Sequence, residues 1–332
     1  MSPVRVAVDA MGGDRAPEEI VAGALEAASA EVAPVLYGRR ERLEPLAGGL
    51  EIVHAEGVVA MDEKPSDAVR EKRDSSLFLA CRAVGEGTAD AVVSAGNTGA
   101  ALAAGLVEIR RLQDVHRPAI AVPLPALGGP SILLDAGANA DARPEHLVQF
   151  AHMGAVFAEE VTGLPDPTVA LLSIGEEPEK GNRLAREAHD ELAAAPGLRF
   201  LGNVEGRDLL RKAADVVVTD GFTGNMALKL MEGTIRTTLE AFREEVTGSA
   251  RGKLGGLLIR PAARRLRTRL DPDTYGGAYL LGLRGLVVIA HGNSSRTAVA
   301  NAVRYAARGV AGKVVERVAE RMAARVGADA AR

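Results

Sequence analysis

The chain has 332 residues, of which 47% are hydrophobic and 25% charged, and its formal net charge is −4. That is enough apolar material for a large core, and it lacks the strongly basic balance of a nucleic-acid binder. The single cysteine, Cys81, excludes an intrachain disulfide framework and fits a reducing compartment.

The opening MSPVRVAVDAMGGD contains no signal-peptide apolar region and enters a strand at VRVAV (4–8), which leads into the turn DAMGGD (9–14). PVLYG (34–38) reads as another strand. Cys81 follows Leu79 and Ala80, which predicts a buried thiol and not a nucleophile. DAVV (90–93) leads into SAGNTGA (94–100), SILL (131–134) into DAGANAD (135–141), and TVALL (168–172) into SIGEEPEKGN (173–182). LRFLGN (198–203) adds a strand, DVVVT (215–219) leads into DGFTGN (220–225), and LVVIA (286–290) into HGNSS (291–295). Each apolar run is rich in β-branched residues and is followed by a Gly/Asp/Asn/Ser/Thr turn and a helix-period segment.

Strands alternating with helices predict an α/β three-layer sandwich around a mostly parallel sheet, in one domain spanning 1–332. The apolar runs lack clean alternation, as strands covered on both faces do. Ligands of such folds sit beyond the carboxyl ends of the strands, so the six turns are expected at one edge, around one site. Helix capping by Asn and Asp explains any single turn equally well.

The rhythm breaks after residue 225. Leu228, Met231, Ile235, Leu239, Phe242 and Val246 recur every three or four residues, the mark of a long amphipathic helix. Residues 249–270 carry seven Arg or Lys and no acid, beside Leu254, Leu257, Leu258 and Ile259. Pro261 is expected to end or kink any helix there. Residues 226–275 read as a helical hairpin projecting from the sheet. Its basic arm suits an anionic partner, either a membrane surface or an acidic protein, and its leucines either close a dimer or hairpin core or favour the membrane, through shallow, reversible contact by Leu254, Leu257, Leu258, Arg264 and Arg265. No apolar run approaches the ~18 residues of a membrane span, so the expected location is cytoplasmic, with peripheral association.

No GxSxG elbow, P-loop, complete dinucleotide fingerprint or zinc-ligand spacing occurs. Asp9 and Asp14 suit either a metal or a turn, and no metal or other cofactor is expected. Glycine-rich turns at helix N-termini offer N–H groups to an anion: Gly12 and Gly13, 96–99, 221–225, and 292–295 with Ser294. Many neutral donors and few evident bases suggest a small oxyanion, most naturally phosphate. Phosphate already bears a nucleophilic oxygen, so acyl transfer to it requires no acyl-serine.

DAMGGD, MDEKPSDAVREKRDSS (61–76), SAGNTGA, DAGAN, EEPEKGN (176–182), DGFTGN, YGGAYLLGL (275–283) and AHGNSS (290–295) together resemble the bacterial phosphate acyltransferase family, from residue 4 to about 310. The resemblance implies transfer of a fatty acyl group from acyl carrier protein to inorganic phosphate, giving acyl phosphate for phospholipid synthesis. It also implies the fold of phosphotransacetylases and isocitrate/isopropylmalate dehydrogenases, a homodimer and peripheral membrane association. A short-chain phosphotransacetylase using acyl-CoA and a non-enzymatic membrane scaffold are the alternatives.

Asn97, Lys180, Asp220 and His291 are the candidate catalytic residues. Asp9 orients donors or caps a helix, and Asn97 and Thr98 donate to phosphate or to an oxyanion. Asp135 and Asn139 are expected to line the same crevice. Lys180 contacts phosphate, thioester or carrier protein, with Asn182 orienting its loop. Asp220, Thr223 and Asn225 are expected to form the opposite wall, and His291 to supply a proton or hydrogen bond to the departing thiol or the phosphate.

Overall fold

The computed structural model describes residues 2–330. Its strands are β1 (Val4–Asp9), β2 (Val32–Gly38), β3 (Glu51–His54), β4 (Ala91–Ser94), β5 (Ala119–Leu124), β6 (Ser131–Leu134), β7 (Thr168–Ser173), β8 (Arg199–Glu205), β9 (Val216–Val218), β10 (Ala278–Leu281) and β11 (Leu286–Ile289). They form one sheet in the order β3-β2-β1-β4-β11-β10-β5-β6-β9-β7-β8. The α-helices are α1 (Glu18–Ala27), α2 (Arg40–Leu43), α3 (Pro65–Glu71), α4 (Ser76–Gly85), α5 (Thr98–Ala104), α6 (Pro144–Thr162), α7 (Arg183–Ala194), α8 (Gly221–Thr247), α9 (Ala250–Leu270), α10 (Arg296–Ala311) and α11 (Val314–Ala330).

Successive strand residues point to opposite faces, and in the central strands both faces are buried, while the edge strands β3 and β8 are partly exposed. Ile132 and Leu134 enter one core with residues of α1, α6, α7, α10 and α11, while Leu133 enters the other with residues of α3, α4, α5 and α8. The three-layer, mostly parallel arrangement follows. Double burial explains why central strands such as β6 and β11 are almost wholly apolar.

The six polar turns do not share one edge. β11–β10, β10–β5 and β5–β6 all pair antiparallel. Three reversals in succession make β6, β9, β7 and β8 run opposite to β1, β4 and β11. DAMGGD, SAGNTGA and HGNSS therefore leave one edge, and DAGANAD, SIGEEPEKGN and DGFTGN the other. The two central strands responsible, β5 and β10, have weak signatures: β5 carries Pro123, and β10 is only four residues long, between Gly277 and Gly282.

The helical hairpin consists of α8 and α9, which pack together, and no side chain of α9 is buried. Ser249 Oγ caps α9 by accepting from Gly252 N at 2.9 Å. Contrary to the sequence expectation, α9 runs uninterrupted through Pro261. The hydrogen bond lost at proline leaves a carbonyl on an exposed helix, where it is open to solvent. Leu254, Leu257 and Leu258 are 65%, 64% and 79% exposed, so they do not close the core of the hairpin. Arg264 and Arg265 are exposed beside them.

Candidate active site

β1 ends in Asp9, whose buried carboxylate accepts from Ser76 Oγ at 2.5 Å and from Ser94 Oγ at 2.7 Å. Burial pushes this carboxyl up from its ordinary value, against hydrogen bonds from Ser76, Ser94 and the N–H groups of Met11 and Gly12. Ser94 Oγ in turn accepts from Gly96 N at 3.0 Å, so one carboxylate sets the shape of two turns. The third turn on this edge is tied in by Asp14 N, which donates to Gly292 O at 2.7 Å. Gly12 packs on Gly96 and the Asp9 carboxylate. Gly13, at φ +107°, leaves no room for a Cβ, which would stand 3.0 Å from Ala95 O and 3.1 Å from Gly292 O.

Asn97 caps α5: its Oδ1 accepts from Ala100 N at 2.9 Å, and its Nδ2 donates to Met61 O at 2.8 Å and Glu63 O at 3.0 Å. Both amide hydrogens are thus spent on the chain itself, and Asn97 acts as a strut that presents the next residue, Thr98. Ser294 is buried, and its Oγ has no hydrogen-bond partner.

On the other edge, Asp135 is fully buried and closes its own loop. Its Oδ1 accepts from the N–H groups of Ile120, Gly137 and Ala138, and its Oδ2 from the N–H and Nδ2 of Asn139. Burial pushes its pKa up, and the hydrogen bonds from Ile120, Ala138 and Asn139, all directed at the ionised form, oppose that. Asn139 Nδ2 also donates to Pro118 O at 2.8 Å. The sequence predicts that this pair lines the crevice. They hold its wall from behind instead, because five donors leave the carboxylate no free lone pair to offer, and Ala136 faces the crevice in their place.

α8 starts against this loop. A Cβ on Gly221 would lie 2.8 Å from Asp135 Oδ2, and one on Gly224 would overlap Asp135 O. Asp220 caps α8, accepting from Thr223 N at 2.9 Å and Thr223 Oγ1 at 2.7 Å. Asn182 caps α7 by accepting from Ala185 N at 2.9 Å. Asn182, Asp220 and Thr223 share a small crevice beyond β7 and β9. Lys180 lies on the exposed turn beside it.

The two edges meet at one pocket of about 120 Å³ on the α8 side of the sheet. The four residues of β10 span only about 13 Å, which keeps the two sets of turns close. Thr98 and His291 arrive from the ends of β4 and β11, and Ala136 and Asn225 from those of β6 and β9. Ile120, Val122, Leu228 and Ile289 make an apolar floor. Two residues that the sequence reading missed complete the wall, Lys229 and Glu232. Lys229 Nζ lies 2.9 Å from Glu232 Oε2, and His291 Nε2 lies 3.7 Å from Glu232 Oε1.

Of the four expected catalytic residues, only His291 lines this pocket. Asn97 stands behind it, and Asp220 and Lys180 belong to the neighbouring crevice and its rim. The signal for Lys229 and Glu232 was their three-residue spacing beside Leu228, which places all three near one helix face. Among the described residues, no group of three or more His, Cys, Asp or Glu could hold a metal ion. The two obvious nucleophiles are unavailable. Ser94 Oγ is buried and donates to Asp9, and burial pushes the Cys81 thiol well above its usual range.

A family model described as "Fatty acid synthesis protein" matches residues 4–317. The phosphate acyltransferase of Heliobacterium modesticaldum is 50% identical over 310 residues, covering 91% of this chain and 92% of that protein. The phosphate acyltransferase of Thermobifida fusca is 51% identical over 311 residues, covering 91% and 86%. Among solved structures, a phosphotransacetylase from Streptococcus pyogenes superposes with a TM-score of 0.62 at 16% identity, covering 93% of this chain and 94% of that one. A branched-chain phosphotransacylase from Enterococcus faecalis gives 0.59 at 17%, covering 92% and 99%. These two likenesses establish the fold, and the sequence relatives establish the enzyme class: this chain belongs to the phosphate acyltransferase family.

Proposed function

We propose that this acyltransferase moves a fatty acyl group from acyl carrier protein to inorganic phosphate, forming acyl phosphate for phosphatidic acid and phospholipid synthesis. The observation that carries the reading is the pocket itself. An apolar floor meets a cation, a histidine and neutral donors, and no available serine or cysteine nucleophile stands over it.

In this reading a phosphate oxygen attacks the thioester carbonyl carbon. The new C–O bond turns the carbonyl into a tetrahedral oxyanion, which collapses by breaking the C–S bond. The thiolate leaves and takes up a proton. Thr98, Asn225 and Lys229 hold the phosphate and the oxyanion, and His291 delivers the proton or a hydrogen bond to the sulfur. Glu232 pairs with Lys229 and faces His291. Asp9, Gly12, Gly13, Asp14 and Ser294 shape the turns around Thr98 and His291, as Asp135 and Asn139 do around Asn225. Lys180, on an exposed turn beside Asn182, Asp220 and Thr223, contacts the acidic carrier protein or the phosphate as it enters.

The working unit in this reading is a homodimer of single-domain chains, each built on one continuous sheet. Phe222, Met226 and Leu230 recur every four residues on α8 and are largely exposed, an apolar stripe that suits a second copy. The basic arm α9 rests on the inner face of the membrane through Leu254, Leu257 and Leu258, with Arg264 and Arg265 facing anionic headgroups. Among the described residues no helix is long and apolar enough to cross a membrane. Comparing kcat/KM for palmitoyl-acyl carrier protein and for acetyl-CoA, each with phosphate, tests the substrate assignment. A higher value for the carrier-protein substrate supports it, and a preference for acetyl-CoA gives the site to short-chain phosphotransacetylation.

A further inference from the structure

The reaction pocket does not close behind His291. It opens into a trough of about 650 Å³ that shares Val122, Pro123, Leu228, Lys229, Glu232 and His291 with it. The trough follows α8 past Met231, Ile235 and Leu239 and reaches Leu270 at the end of α9. Arg236, Leu239 and Arg267 then hand it on to a groove of about 620 Å³ between the two helices.

One wall of the trough is apolar along its length. Leu228, Met231, Ile235 and Leu239 fall on one helix face at spacings of three and four. Such a face is ordinarily spent on the core. Here only Leu228 is buried, and the other three stay half-buried against open space. The exposed stripe of Phe222, Met226 and Leu230 lies on the opposite side of α8, by the 100° turn per residue of a helix. The face proposed for a second copy is therefore not the face that lines the trough. From Leu228 to Leu239 the helix advances about 16 Å. Lys229, Glu232 and His291 stand at one end of this apolar wall, and Arg236, Arg267 and Asp271 line the trough toward the hairpin.

We infer that this trough holds the alkyl chain of the acyl donor, with the reacting carbonyl at the His291 end and the terminal methyl toward the hairpin. Ile235 and Leu239 then govern which chain lengths react well. The inference rests on the acyl-transfer reading. It adds to it a binding site for a straight alkyl chain and the residues that measure the chain. Burial of one methylene is worth about 0.8 kcal/mol, or about fourfold in binding, which sets an upper limit on the gain per carbon.

The test uses full-length protein with butyryl-, octanoyl- and palmitoyl-acyl carrier protein and phosphate, trapping acyl phosphate with hydroxylamine. In the wild type, kcat/KM is expected to rise with chain length. Ile235→Trp and Leu239→Trp fill the trough, and each should lower the palmitoyl-to-butyryl ratio of kcat/KM at least tenfold. If a tryptophan variant melts early, Leu239→Ala, which only removes contact, should lower the ratio at least threefold. A ratio within twofold of wild type in the folded variants overturns the inference. So does a change of oligomeric state in sedimentation velocity with the ratio retained, which would give the face to a second copy. If no donor yields acyl phosphate, the functional reading fails on its own, and cis-parinarate fluorescence then decides the trough. Binding to wild type that weakens at least tenfold in the tryptophan variants upholds an alkyl site, and no binding to wild type overturns it.

Discussion

Glu232 Oε1 stands 3.7 Å from His291 Nε2, while Oε2 of the same carboxylate is 2.9 Å from Lys229 Nζ. Oε1 is buried and accepts no hydrogen bond, so it waits for a donor. A small movement of the imidazole would satisfy it and fix which ring nitrogen carries the proton. Glu232 is thus a positioning residue for the two pocket side chains most able to handle charge. Glu232→Gln and His291→Ala are each expected to lower kcat/KM by more than tenfold, or about 1.4 kcal/mol, with little change in melting temperature. Full activity in both variants would remove this cluster from the mechanism.

Asp220 and Asn97 should behave differently, because both are helix caps. Replacing such a cap by alanine costs about 1 kcal/mol of stability. Asp220→Ala and Asn97→Ala should therefore lose stability in urea unfolding as well as activity, whereas His291→Ala should lose activity alone. Equal melting temperatures across all three would contradict the capping roles.

The sequence made the strands at β1, β4, β6, β7, β9 and β11 legible because burial on both faces writes them as unbroken apolar runs. It hid β5 and β10, where a proline and flanking glycines blur the pattern, and with them the reversal of direction that splits the turns between two edges. The polar turns themselves were visible, but their chemistry was not. A carboxylate such as Asp135 looks identical in sequence whether it faces a ligand or five backbone and amide donors. Lys229 and Glu232 were overlooked because they lie inside an amphipathic helix, where charge ordinarily marks the solvated face.

Glu108 gives a pH signature. Its side chain is only 7% exposed, which alone would raise its pKa, but Arg82 and Arg73 hold it below the ordinary glutamate value, with Arg73 at 2.7 Å. A depressed carboxylate contributes stability above its unfolded pKa and loses it as pH falls through the folded value. Glu108→Gln should cost about 1 kcal/mol at neutral pH, since both guanidiniums keep contact with water. The difference from wild type in urea unfolding should shrink as the pH is lowered below about 4.5. A difference that stays constant down to acid pH would contradict the ion-pair account.

The hairpin arm is tested by vesicle sedimentation. Leu254→Glu with Leu258→Glu should abolish binding to anionic vesicles and leave turnover in solution intact. Arg264→Glu with Arg265→Glu should weaken binding in a salt-sensitive way. Normal vesicle binding by the leucine variant would remove the membrane role from α9.

Direct acyl transfer from carrier protein to phosphate, in the pocket between Thr98 and His291, is open to one decisive experiment. The most direct measurement incubates the purified protein with palmitoyl-acyl carrier protein and ³²P-labelled phosphate. It follows labelled acyl phosphate while mass spectrometry of the quenched enzyme looks for an adduct. The expected result is labelled acyl phosphate formed in step with free carrier protein, with none when phosphate is omitted and no acyl group on the protein. Release of carrier protein without labelled product, or a kinetically competent acyl adduct on Ser94 or Cys81, would contradict it.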